Sequence, residues 1–166
     1  MPLPDRPVAA ASIETEWGQA VHDYTFAPSG CRCTGGAVSV TSTTPVVLPI
    51  DTATEDPGGF VDTAGNRVVV PTDGEGFYDI SIRANTVTGA TTSFTRMYLL
   101  VNGANQGQTT VDGEGGTNVP LVMSMKRTLA AGDIVTATAI KLGTGTSPSV
   151  SITELTLVRL GAQLGA

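Results

Sequence analysis

From Tyr78 to Asn85 the chain alternates without a fault: Tyr78, Ile80, Ile82 and Ala84 take one side, Asp79, Ser81, Arg83 and Asn85 the other. A period of two marks a strand in a sheet with one buried face. A valine run ending at Pro71 precedes it, with the turn Asp73-Gly74-Glu75-Gly76 between. The device recurs downstream. Phe94–Val101 sets Met97, Leu99 and Val101 against Arg96, Tyr98 and Leu100, and Asn102-Gly103 then turns the chain. Further short strands are predicted over Ala37–Val40, Val46–Ile50, Arg67–Val70, Phe77–Thr86, Gln106–Thr110, Val119–Leu129, Ile134–Leu142 and Val150–Leu160. Between them, Cys31–Gly36 reads as a link and Thr52–Gly65 as a long acidic loop turning at Asp56-Pro57-Gly58-Gly59.

The first residues follow another rule. Pro2, Pro4 and Pro7 favour an extended arm over 1–11. Ser12 is placed as a helix N-cap, with Glu14 and Glu16 in the first turn, where the helix dipole favours negative charge. Ile13, Trp17, Val21 and Tyr24 then form one apolar stripe on a helix over about 12–24, weakened by Gly18. So short a helix needs a surface to pack on: its own domain, a symmetry mate or another protein. The only tryptophan of the chain lies in this stripe, which suits a docking anchor. The chain therefore divides into a docking arm (1–36), a β-domain (37–161) and a short tail (162–166).

Seven to nine short strands imply an all-β sandwich or jelly roll. Several strands are apolar on both faces, notably 97–101 and the run Leu155, Leu157, Val158, Leu160. A two-layer sandwich buries one face of each strand, so the second apolar face predicts a subunit interface. Met97, Leu99, Leu155 and Leu157 are its candidates.

Composition narrows the partners. A length of 166 residues with 40% hydrophobic and 14% charged residues suits one domain with a real core. A net charge of −6 argues against nucleic acid, and Lys126-Arg127 is the one adjacent basic pair. No apolar run approaches membrane-spanning length, and the first residues lack the pattern of a secretory signal. Cys31 and Cys33 stand too close to bridge each other comfortably; free thiols are the expectation, with a metal site shared by several chains as the alternative.

Catalytic chemistry finds little footing. His22 is the single histidine, beside Asp23 on the proposed helix, and no Gly-x-Ser-x-Gly elbow, phosphate loop or dinucleotide fingerprint occurs. The acidic stretches at 51–62, 73–75 and 112–114 lack the spacing of a calcium loop and read as turns. No enzyme activity and no cofactor are expected.

Residues 60–86 (FVD, GNRVVVP, GFYDISIRA), with YLLVNG at 98–103, LAAGDIV at 129–135 and ITELTLVRL at 152–160, resemble the complement globular-head and tumour-necrosis-factor-like jelly roll. That resemblance implies a homotrimer that acts by binding. The segment ASIETEWGQAVHDYTF, with Ile13-x-x-x-Trp17-Gly18-x-x-Val21-x-Asp23, is similar to the leaders of small tail and decoration proteins of tailed phages. Together they imply a trimeric component of a virion surface, assembled in the host cytoplasm. Its arm would dock on a major capsid or tail protein. Capsid decoration is the first expectation. A minor tail protein binding a host receptor or glycan is the second, and a bacterial carbohydrate-binding module or adhesin head the alternative outside virions.

Overall fold

The computed structural model describes residues 30–87, 93–112 and 118–162. They form twelve strands and no helix: β1 (Gly30–Thr34), β2 (Ala37–Ser39), β3 (Val46–Val47), β4 (Thr52–Glu55), β5 (Val61–Asp62), β6 (Arg67–Val69), β7 (Gly76–Val87), β8 (Ser93–Val101), β9 (Ala104–Asp112), β10 (Asn118–Leu129), β11 (Ile134–Gly143) and β12 (Ser149–Ala162). The predicted helix over 12–24 lies outside the described residues. Every predicted strand is present within a few residues of its expected ends. Three were not foreseen: β1 within the expected link, and β4 and β5 within the expected acidic loop. The β-domain thus begins by Gly30 rather than Ala37.

The strands make two antiparallel six-stranded sheets. The first has the order β10-β7-β12-β1-β4, with β2 also on β12; the second has β5-β6-β11-β8-β9, with β3 also on β11. From β7 onward the chain crosses between them, to β8 and β9, back to β10, over to β11, and back to β12. That alternation is the jelly-roll order, in which sequence neighbours become opposite layers.

One core fills the space between the layers. Tyr78, Ile80, Ile82 and Ala84 of β7 are buried as the alternation predicts, facing Met97, Leu99 and Val101 of β8 and Val135, Ala137 and Ala139 of β11. The valine run and the Asp73–Gly76 turn lock onto this core. The Tyr78 hydroxyl donates to the Gly74 carbonyl, and the Arg159 guanidinium donates to the carbonyls of Asp73 (3.4 Å) and Glu75. Burial raises the Tyr78 phenol above its ordinary range. Asn102 and Gly103, at φ 50° and 77°, make the β8–β9 turn with the left-handed pair that a two-residue hairpin needs.

β12 departs from regularity twice, with register shifts against β7 between Ile152 and Glu154 and between Arg159 and Gly161. The first shift leaves Thr153 as an extra residue, its hydroxyl donating to the Arg83 carbonyl at 3.0 Å. Ile152 and Leu155, three apart, therefore both reach the core.

Candidate functional site

The four residues predicted to line a subunit interface are core residues. Met97, Leu99, Leu155 and Leu157 each have 0% exposure inside a single chain, so their side chains have no surface left for a neighbour. The expectation was right that these strands are apolar on two faces and assigned the wrong face to the outside. The residues left out on β12 are Val158, 49% exposed, and Leu160, 50% exposed. Ile13, Trp17, Val21, Tyr24 and His22 lie outside the described residues.

The outer face of the first sheet can be read strand by strand from its register. On β7 it carries Phe77, Asp79, Ser81 and Arg83; on β10 opposite them stand Thr128, Lys126, Ser124 and Val122. On the other side β12 sets Val158 beside Asp79, Thr156 beside Ser81 and Glu154 beside Arg83. Phe77 and Val122 are exposed like Val158 and Leu160. Polar groups occupy the middle: the Ser81 and Thr156 hydroxyls share a 2.5 Å hydrogen bond, and Arg32 of β1 reaches Glu154 at 2.8 Å and Glu55 at 3.8 Å. The bond to Glu154, with that carboxylate's charge, raises the Arg32 guanidinium further above its ordinary range. The face thus has a polar centre flanked by large exposed apolar side chains.

Among the described residues, two hollows stand out on this face. A groove of about 710 Å³ runs over Gly30, Arg32, Glu55, Asp56, Glu154 and Val158. A smaller one, about 390 Å³, is lined by Arg83, Asn85, Asn118, Pro120, Thr153 and Glu154. Both are open; the lining of the larger also includes the buried Cys31, beside the carboxylates of Glu55, Asp56 and Glu154. The outer face of the second sheet is different. There Arg96 donates to Thr110 at 3.0 Å, Tyr98 and Leu100 are half-buried, and Phe94 and Val47 are the exposed large apolar residues.

Cysteines and carboxylates are committed to the fold. Cys31 and Cys33 occupy the inward positions of β1, free and buried. Burial pushes both thiols up, with the nearby Asp56 charge adding to it; Cys33 reaches about 12 and Cys31 goes higher. Their inward aim removes the metal site shared between chains that was the alternative expectation. Within the acidic stretches, Asp56 accepts from the amides of Phe60 (2.6 Å) and Val61 (2.9 Å). Asp62 accepts from the Gly65 amide (2.9 Å) and Arg67 Nε (2.7 Å), which hold its carboxyl below the ordinary range. Asp133 likewise accepts from the Ala130 amide (2.8 Å) and Asn102 Nδ2 (2.7 Å). These carboxylates tie turns. Among the described residues no three His, Cys, Asp or Glu side chains come together as a metal site.

Sequence reasoning missed Phe77 and Val122 as surface residues, though parity could have found Phe77. It immediately precedes the inward Tyr78, and one step along a strand reverses the face.

No protein-family model matches the sequence, and the comparison with curated proteins finds no match. Solved structures do match in shape. The Eiger TNF structure from S. frugiperda has a TM-score of 0.55 at 13% identity, over 82% of this chain and 94% of that one. The globular domain of zebrafish complement 1qA has a TM-score of 0.59 at 9% identity, over 81% of this chain and 99% of that one. At such identities the likeness is one of architecture, and it agrees with the strand order found here: the chain has the jelly-roll fold of the tumour-necrosis-factor and complement 1q globular domains.

Proposed function

We propose that this chain is a non-catalytic, self-associating head: a homotrimer closed through the outer face of the first sheet and carried by an N-terminal docking arm. One observation carries the proposal. The inner face of that sheet is completely filled, yet Phe77, Val122, Val158 and Leu160 remain exposed on its outer face. Such a surface is stabilised by covering it, and a closed cyclic assembly covers it without leaving a free copy of the patch. The fold shared with the tumour-necrosis-factor and complement 1q domains supports a role in binding. The polar centre around Ser81, Thr156 and Arg32 would then fix register between copies.

For the setting, the segment Ile13-x-x-x-Trp17-Gly18-x-x-Val21-x-Asp23 supports the exterior of a tailed phage virion. With no heptads or short repeats to build a shaft, the head follows the arm almost at once, which favours capsid decoration over a reaching tail fibre. Host attachment from the tail tip is the competing placement. Val158→Asp with Val122→Asp tests the head: the chain should stay folded by circular dichroism and sediment as single chains. An undisturbed assembly would refute the interface. Trp17→Ala tests the arm, and should strip the protein from particles while leaving its assembly intact. Copy number per particle then separates the placements, with hundreds for the capsid and a few trimers for the tail.

A further inference from the structure

Two thioethers join the layers where β9 and β10 meet. On β10, Met123 pairs with Ile82 and Met125 with Ile80, so both share the inward face of those buried isoleucines. On β9, in the other layer, Gly107 pairs with the inward Leu99 and Thr109 with the inward Met97. Met123 and Met125 are half-buried and pack against the core, whereas Met97 has 0% exposure.

Gly107 is the seat of this contact. A Cβ placed there would stand 2.9 Å from Met123 Sδ and 3.3 Å from Met125 Cε, so the sulfur fills room that a side chain would take. A slip in register shapes the seat: Leu99 pairs with Gly107 but Leu100 with Asn105, which leaves Gln106 as an extra residue. Gln106 Oε1 accepts from the Arg127 guanidinium of β10, and Asn105 Oδ1 accepts from the Gly107 amide at 3.0 Å. β9 and β10 belong to different sheets and are joined here by thioether contacts and a side-chain hydrogen bond.

We propose that Met123 and Met125 are a peroxide-sensitive latch: oxidation of their thioethers to sulfoxides parts β9 from β10. The latch goes beyond the proposed function and works within a single chain. Its chemistry is an oxygen-atom transfer. The sulfur lone pair attacks one oxygen of hydrogen peroxide, an S–O bond forms and the O–O bond breaks. Sulfur gives up two electrons, and the departing hydroxide takes the proton of the transferred oxygen to leave as water. The product is polar where the thioether was apolar. At Met123 the new oxygen must enter the space closed over Gly107 or draw the side chain out to water. The first course buries a polar group and the second loosens the packing over Ile82 and Leu99. An unbranched, adaptable side chain fills such an irregular gap well and is readily turned out of it.

Dilute hydrogen peroxide on the native chain, followed by peptide mass mapping, reads the first half of the proposal. Met123 and Met125 should each gain one oxygen at least about tenfold faster than Met97, following their exposure. Equal rates at the three residues would overturn it. Hydrogen exchange on the oxidised protein reads the second half. The protected amides of β9 should exchange at least about threefold faster than before oxidation, while those of Leu155–Leu157 stay unchanged. Oxidised methionines beside an unmoved β9 would equally overturn the latch. Met123→Leu with Met125→Leu roughly keeps the volume and removes the sulfur, so its β9 exchange should ignore peroxide. That variant retains both cysteines; the same response in it would assign the effect to the thiols and refute the latch. The two readings on the native chain decide the matter even where the variant folds poorly.

Discussion

β7 and β12 lie side by side in one sheet and were built by different rules. β7 keeps a period of two for all of Gly76–Val87, with Tyr78, Ile80, Ile82, Ala84 and Thr86 inward. β12 slips twice, so its inward residues Val150, Ile152, Leu155 and Leu157 are not evenly spaced. Yet the regular strand is polar along the middle of its outer face, while the slipped one ends there in Val158 and Leu160. Alternation tells which residues share a face. It does not tell which face is inside when both are apolar; the opposite sheet decides that.

The sharpest way to break this contrast is to change two adjacent residues of β12. Leu157→Ala empties a site with no exposure and should cost about 2–5 kcal/mol in denaturant unfolding. Val158→Ser, one step along and on the other face, should move the stability of the isolated chain by under about 0.5 kcal/mol while weakening association. Equal losses of folding stability would mean the face assignment is wrong. On the regular strand, Tyr78→Phe removes the donor to the Gly74 carbonyl and should cost about 1–3 kcal/mol, read as a lower melting temperature.

Two smaller effects sharpen the picture of what the polar and sulfur groups do. The buried thiols should resist a thiol-specific reagent in the native chain and react fully once it is unfolded; rapid native labelling would place them outside the core. Because their folded values lie above the ordinary 9.0, they favour the folded chain most below pH 9. That contribution is lost as pH climbs from 9 toward 12, so the melting temperature should fall over this range, less steeply in Cys33→Ala relative to its own neutral-pH value. Asp62 works with the opposite sign. Held below the ordinary 3.8 by the Gly65 amide and Arg67, it contributes above that value and loses its contribution as pH falls through the lower folded one. Asp62→Asn should slightly flatten the acid limb of the melting curve.

Most of the fold was legible because its long strands alternate and its turns use Asp, Asn and Gly where the backbone needs them. Arg67–Val69, β7, β8, β10 and β11 were all readable on those grounds. β1 was not: Gly-Cys-Arg-Cys-Thr is short and ringed by glycines, and its hydrophobes are cysteines, which also suggest chemistry. β4 and β5 are too brief for any periodicity, and Asp56 and Asp62 disguise their neighbourhood as loop by making it acidic. The candidate site was half legible. The doubling of apolar faces was visible at 97–101 and 155–160, but bulges at Thr153 and Leu160 carry no signature in the residue string. Choosing Leu155 and Leu157 over Val158 and Leu160 therefore required the partner sheet.

The proposed interface between copies lies on the outer face of the β10-β7-β12-β1-β4 sheet. Sedimentation equilibrium of the native chain beside Val158→Asp/Val122→Asp reads it directly. Three chain masses for the native protein and one for the folded variant are the predicted result; a native protein that sediments as a folded single chain would contradict it.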